Sequence, residues 1–189
     1  MIEIRTPRIF ELQRIVAMEK EIFPGYSHAF GYSDLEVWFG LNPGMFFVFI
    51  GNDGKISGYS TIVPVTSDVH HSLIKGEISA LNEFPRSGVL YWGDETNYFH
   101  IEVIASIGSK KKRAAIGSLM LMHTSRFLAN NAKFVTASPV TEIGDRLCNH
   151  FGFSLASFSN DGYPIVELKI EKTKMAQRIK KLEDDLEPW

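Results

Sequence analysis

The stretch from Phe99 to Ser138 limits the choice of fold more than any other part of the chain. An apolar strand, Phe99 to Ile107, runs into a basic, small-residue turn. The turn opens a helix, and Lys133 to Ser138 follows as a short strand. A strand, a helix and a second strand read as a crossover unit, whose two strands lie parallel in one sheet. The turn has the makings of a phosphate seat. Lys110, Lys111, Lys112 and Arg113 supply charge, and Ala114, Ala115 and Gly117 are small enough for an anion to approach the backbone. The first N–H groups of a helix have no partner inside it and carry the positive end of its dipole.

The remaining segments can be placed around this unit. Ile2 to Arg5 reads as a short strand. Ile9, Leu12, Val16 and Phe23 recur at helical spacing, which predicts an amphipathic helix over 8–22 ended by Pro24-Gly25. Ser33 with Glu36 is a capping-box signature for a second helix over 34–40. Met45 to Ile50 and Lys55 to Val65 flank Gly51-Asn52-Asp53-Gly54, a hairpin turn. The stretch 66–96 reads as a long connection, with a helical turn at Ser79 to Phe84 and a strand edge at Val89 to Trp92. After the crossover come a helix over 140–151 and a final hairpin, Phe153 to Ile170, turning at Asn160-Asp161-Gly162. The order predicts an α+β fold with a single mixed, mostly antiparallel sheet flanked by helices. Residues 1–171 form the expected domain and 172–189 a charged helical tail. In that tail Met175, Ile179, Leu182 and Leu186 make one stripe that docks on the domain or pairs with a second subunit.

Composition sets the bounds. A net charge of −2 over 189 residues gives no global field for nucleic acid, so any anion site is local. The single cysteine, Cys148, excludes an internal disulfide and a Cys-rich zinc site. His70 and His71 are adjacent, with no third ligand at sensible spacing, so no metal is expected. No uncharged apolar run approaches the ~20 residues needed to span a bilayer. The start of the chain lacks the layout of a signal peptide. The expectation is a cytoplasmic protein that uses neither membrane nor nucleic acid.

Three pieces of this sequence resemble the GNAT superfamily of N-acetyltransferases. Gly51-Asn52-Asp53-Gly54-Lys55-Ile56-Ser57-Gly58-Tyr59 looks like the hairpin between that family's second and third strands. Lys112-Arg113-Ala114-Ala115-Ile116-Gly117 stands where the family has Gln or Arg, two residues, Gly, one residue, and Gly or Ala. Leu147-Cys148-Asn149-His150-Phe151-Gly152-Phe153 looks like the segment that closes the family's fourth helix. With the element order, the likeness covers roughly residues 2–170. Lys112 and Ala115 depart from the second motif. Cys148 replaces the family's frequent tyrosine, and Thr141 its asparagine.

The resemblance implies acetyl-CoA as donor, a primary amine of a small molecule or peptide as acceptor, and direct attack. It implies that the Ala105 N–H polarises the thioester carbonyl and that the backbone around Ile107 pairs with the pantetheine arm. The N–H groups of 113–118, which include Ile116, Gly117 and Ser118, would hold the pyrophosphate, with Lys112 and Arg113 as its cations. Thr141 and Cys148 fall where the family touches acyl-CoA. His100 and Glu102 alternate with apolar neighbours on the central strand, so both point to one face and either is a candidate base. The family's base positions align with Ile101 and Val103 instead, and a bulge in this strand would switch the parity. The missing tyrosine and asparagine leave a second reading open, an acyl-CoA-binding or regulatory module that has lost catalysis.

Overall fold

The structure is a computed structural model, and it describes residues 2–24, 31–91, 94 and 96–186. Gly25 and Trp92, which enter the sequence reading above, lie outside these residues, as does the side chain of Leu186. Seven strands form one sheet: β1 (Glu3–Arg5), β2 (Phe46–Ile50), β3 (Ile56–Val65), β4 (Tyr98–Ser106), β5 (Phe134–Ala137), β6 (Ser154–Phe158) and β7 (Pro164–Lys169). Their order across the sheet is β1-β2-β3-β4-β5-β7-β6. Every pairing is antiparallel except that of β4 with β5, the crossover pair.

Six helices cover the sheet: α1 (Leu12–Ile22), α2 (Tyr32–Leu41), α3 (Ser67–Lys75), α4 (Lys110–Asn131), α5 (Glu142–His150) and α6 (Lys172–Leu186). On one face Leu12, Ile15 and Met18 of α1, Leu35 and Trp38 of α2, and Val69 and Leu73 of α3 pack against Val48, Tyr59 and Val63. On the other face Ile116, Met120 and Leu128 of α4 meet Phe49, Ile62, Phe99 and Val135. Met175 of α6 joins that cluster and Ile179 packs against it, so the first half of the tail's apolar stripe docks within its own chain. Gly58 of β3 lets α4 sit close: a Cβ there would lie 2.8 Å from Ile116 Cγ2 and 2.8 Å from Met120 Sδ.

The structure corrects several boundaries. α2 begins at Tyr32, and its cap is not the Ser33–Glu36 pair. Asp34 stands three residues past Gly31 and accepts the Gly31 N–H at 2.9 Å. The sequence reading missed α3 altogether. Thr66 caps it by accepting the Val69 N–H, and Gly76 closes it at φ 76°, which only glycine adopts without strain. α4 starts at Lys110 rather than 114, because Ser109 caps it and accepts the Lys112 N–H at 3.3 Å. The basic run is therefore the first turn of the helix and not a loop ahead of it. α5 starts at Glu142, capped by Thr141, which accepts the Gly144 N–H at 3.0 Å.

Candidate active site

β4 and β5 pair only from Tyr98–Phe134 to Ile101–Ala137. Beyond Ile101 the strand β4 continues to Ser106, while the chain after Ala137 turns away toward α5. The two strands thus splay, and the splay opens a cleft of about 170 Å³. Phe23, at the end of α1, lines it, and so do Thr124, Ser125 and Leu128 of α4. These residues come from opposite faces, so the opening runs through the sheet.

A bulge sets the chemistry of the β4 wall. Val103 pairs with Thr61 and Ile101 with Ile62, which leaves Glu102 without a partner of its own in β3. His100 and Glu102 come together, with His100 Nε2 3.4 Å from Glu102 Oε2. The Leu81 N–H donates to the same oxygen at 2.9 Å. Thr136 Oγ1 lies 3.0 Å from His100 Nδ1. Thr136 Oγ1 also lies 3.5 Å from the Phe99 carbonyl, so Thr136, His100 and Glu102 form one chain of polar contacts along the sheet. The His100 side chain is 1% exposed and that of Glu102 7%. Only Glu102 of the two reaches the cleft wall. The bulge also switches the parity of the residues after it.

That switch moves the backbone donors. The Ile107 N–H donates to the Ser57 carbonyl at 2.9 Å. Antiparallel pairing alternates in twos, so the Ala105 N–H, opposite Tyr59, also turns toward β3. Ala105 therefore does not present the donor assigned to it from the resemblance, and the Ile107 N–H itself is taken by β3. Ile104 and Ser106 carry the N–H groups that face the splay.

The phosphate end changes in the same way. The Arg113 N–H bonds the Ser109 carbonyl at 2.9 Å, and residues 114–118 lie inside the helix, where N–H groups are used by the ladder. The backbone donors of this end thus belong to the start of the first turn, ahead of Lys112, whose N–H the Ser109 cap holds. Four cations gathered at the positive end of a helix dipole oppose it, an arrangement that an anion would relieve. Lys112 Nζ reaches Asp53 Oδ2 at 3.3 Å, tying α4 to the β2–β3 hairpin, while Arg113 is exposed. The Lys55 N–H, and then Lys112, hold the Asp53 carboxyl below its ordinary range. Ala114 is exposed, Ala115, Gly117 and Ser118 are half-buried, and Ile116 is core. A Cβ on Gly117 would meet nothing within 4 Å, so packing does not explain its small size.

Across the cleft stand Thr141, Gly144 and Cys148 of the α5 side. Burial, and then the Asp145 carboxylate, push the Cys148 thiol up to about 11. Tyr59 of β3 is 1% exposed and donates to Glu19 Oε1 at 3.0 Å. Burial, and then Glu19, raise its pKa well above the ordinary phenol value. His70 sits on α3 rather than in a loop and is buried, with Nε2 2.9 Å from Glu167 Oε1. The Glu19–Tyr59 pair and the α4 side of the cleft carry no sequence signal, because they depend on which face of each element is covered.

Solved structures share this architecture. The loading GNATL domain of CurA from Lyngbya majuscula matches over 89% of this chain and 98% of its own, at 12% identity and a TM-score of 0.68. An N-acetyltransferase from Staphylococcus aureus Mu50 matches over 90% of this chain and 99% of its own, at 15% identity and a TM-score of 0.60. The chain has the GNAT fold. A GNAT family acetyltransferase from Brucella melitensis in complex with acetyl-CoA matches over 90% of this chain and 89% of its own, at 14% identity and a TM-score of 0.55. No protein-family model matches the sequence, and no curated protein matches it.

The residues present fit an acyl-CoA. The unpaired edges of the splay offer backbone partners for an amide-bearing arm, the first turn of α4 offers cations and N–H groups, and Gly117 leaves open space between them. Among the described residues no cluster of His, Cys, Asp or Glu is placed to hold a metal. No described helix is long and apolar enough to cross a membrane.

Proposed function

We propose that the protein is an acyl-CoA-dependent N-acetyltransferase that moves an acetyl group from acetyl-CoA to a primary amine of a small molecule or peptide. The observation that carries the reading is the splay of β4 from β5, open through the sheet beside the cationic first turn of α4. Donor and acceptor can then reach one point from opposite faces, which suits direct attack. Glu102 takes the proton from the incoming ammonium, directly or through water, and His100 holds the carboxylate in place. The amine nitrogen bonds to the carbonyl carbon, the C–S bond breaks, and CoA leaves as thiolate. The N–H of Ile104 or Ser106 steadies the developing oxyanion.

Cys148 is poorly suited to act as the acid. Its thiol stands at about 11. A free alkyl thiol titrates near ~8.5, so proton transfer from Cys148 to the leaving thiolate would run uphill. The same shift makes it a weak nucleophile.

The test is CoA release from acetyl-CoA across a broad amine panel, with thermal unfolding run alongside. Acetyl-CoA should raise Tm in proportion to the logarithm of its concentration. No shift at millimolar acetyl-CoA would sink the reading. Binding without CoA release on any amine would instead support the regulatory-module reading, which the Cys148 and Thr141 substitutions favour.

A further inference from the structure

We infer that the cleft accepts, and binds more tightly, an apolar acyl chain longer than acetyl. The inference rests on the acyl-CoA reading above and concerns the part of the cleft beyond the thioester. At Ile101 and Ala137 the two strands are paired again, so past this point the sheet offers no open backbone edge. A pantetheine arm needs partners for its amides, and they exist only on the splayed side. The cleft nevertheless continues to Leu128 of α4, Phe153, Leu168 of β7 and Met175 of α6. Leu168 pairs with Val135, two residues deeper in the sheet than Ala137.

The wall facing this end is equally apolar. α5 carries Ile143 and Leu147, and the buried Phe151 follows at its C-cap; none of the helix's own nine residues is buried, and Ile143 is 71% exposed. Leu147 and Phe151 line the cleft instead of closing it. The helix stands off the sheet and leaves apolar surface that an acetyl methyl cannot cover. Two small hydroxyl residues of α4, Thr124 and Ser125, border the same space and keep it open where Leu121 and Leu128 narrow it. An unbranched acyl chain has the shape and polarity this end lacks a partner for.

Equilibrium binding of CoA, acetyl-CoA, butyryl-CoA and hexanoyl-CoA to the full chain tests the idea. Each fully buried methylene is worth roughly fourfold in affinity. Hexanoyl-CoA should therefore bind at least about tenfold more tightly than acetyl-CoA, and give the larger Tm shift at equal concentration. Ser125→Leu puts bulk into the deep end and should bring the two affinities within about threefold of each other. If that variant fails to fold, the wild-type series decides alone. CoA and acetyl-CoA that bind, with affinity flat or falling along the series, would overturn the inference and leave the proposed function standing. Failure of all four to bind would overturn both.

Discussion

Among the residues that line the cleft, Glu102 is the carboxylate, and it stands at the bulge in β4. Glu102→Gln should lower kcat/KM for an accepted amine by at least about 10²-fold while leaving acetyl-CoA affinity within about threefold, by steady-state kinetics and calorimetry. His100 reaches the chemistry only through Glu102. His100→Ala should cost about tenfold in kcat with little change in the KM for acetyl-CoA, which a general loss of folding would not do. Cys148 should behave as a half-buried, poorly reactive thiol. With its pKa at about 11, the thiolate fraction at pH 8 is about one in a thousand, so iodoacetamide should label it slowly. Cys148→Ala should stay within about threefold of wild-type turnover. Candidate residues were legible in the sequence at this scale, but their roles were not. The alternation of His100 and Glu102 with Ile101 and Val103 was visible, whereas the extra residue in the β3–β4 ladder was not. It shifts the donors from Ala105 to Ile104 and Ser106, because every residue after a bulge exchanges sides.

The packing of α4 on β3 governs the site at the level of elements. Gly58→Ala would press a methyl against Ile116, Met120 and the Ala105 carbonyl, at 2.8, 2.8 and 3.1 Å. Overpacking of this kind costs about 1–3 kcal/mol, readable as a lower urea midpoint. The same change should weaken acetyl-CoA binding, since α4 supplies the cationic turn. The glycine-closed hairpins at Gly54 and Gly162 were legible, as were the helices whose apolar positions repeat over three turns or more. α3 was not, because nine residues with two adjacent histidines give a short and interrupted pattern. Its signals were Thr66 ahead of Asp68 and Val69, and Gly76 after Lys75, and a search for caps rather than for periodicity would have found them.

Buried histidines set the acid response of the molecule as a whole. Burial lowers the pKa of His70, despite the opposing pull of Glu167, and burial with Arg126 lowers that of His123. Both stay neutral in the folded chain at pH values where the unfolded chain binds their protons. The unfolded state therefore holds more protons below about pH 6.5, and stability falls as pH drops through that value. Urea unfolding at pH 7.5 and 5.5 should show the lower midpoint at pH 5.5, by an amount that shrinks when His70 is replaced by Gln. The tail belongs to the same balance. Met175 is buried against Leu128 and Leu168, and Met175→Ala should cost about 2–5 kcal/mol. By itself the sequence determined the order of the strands and of every helix but α3, most of the turns between them and the cationic start of α4. Those follow from dihedral preferences and side-chain periods that act within a few residues. Only the tertiary structure decided the face each residue of β4 occupies after Glu102, the parting of β4 from β5, the docking of α6 and the depth of the cleft. Each of these depends on contacts between residues far apart in the chain, which no local pattern encodes.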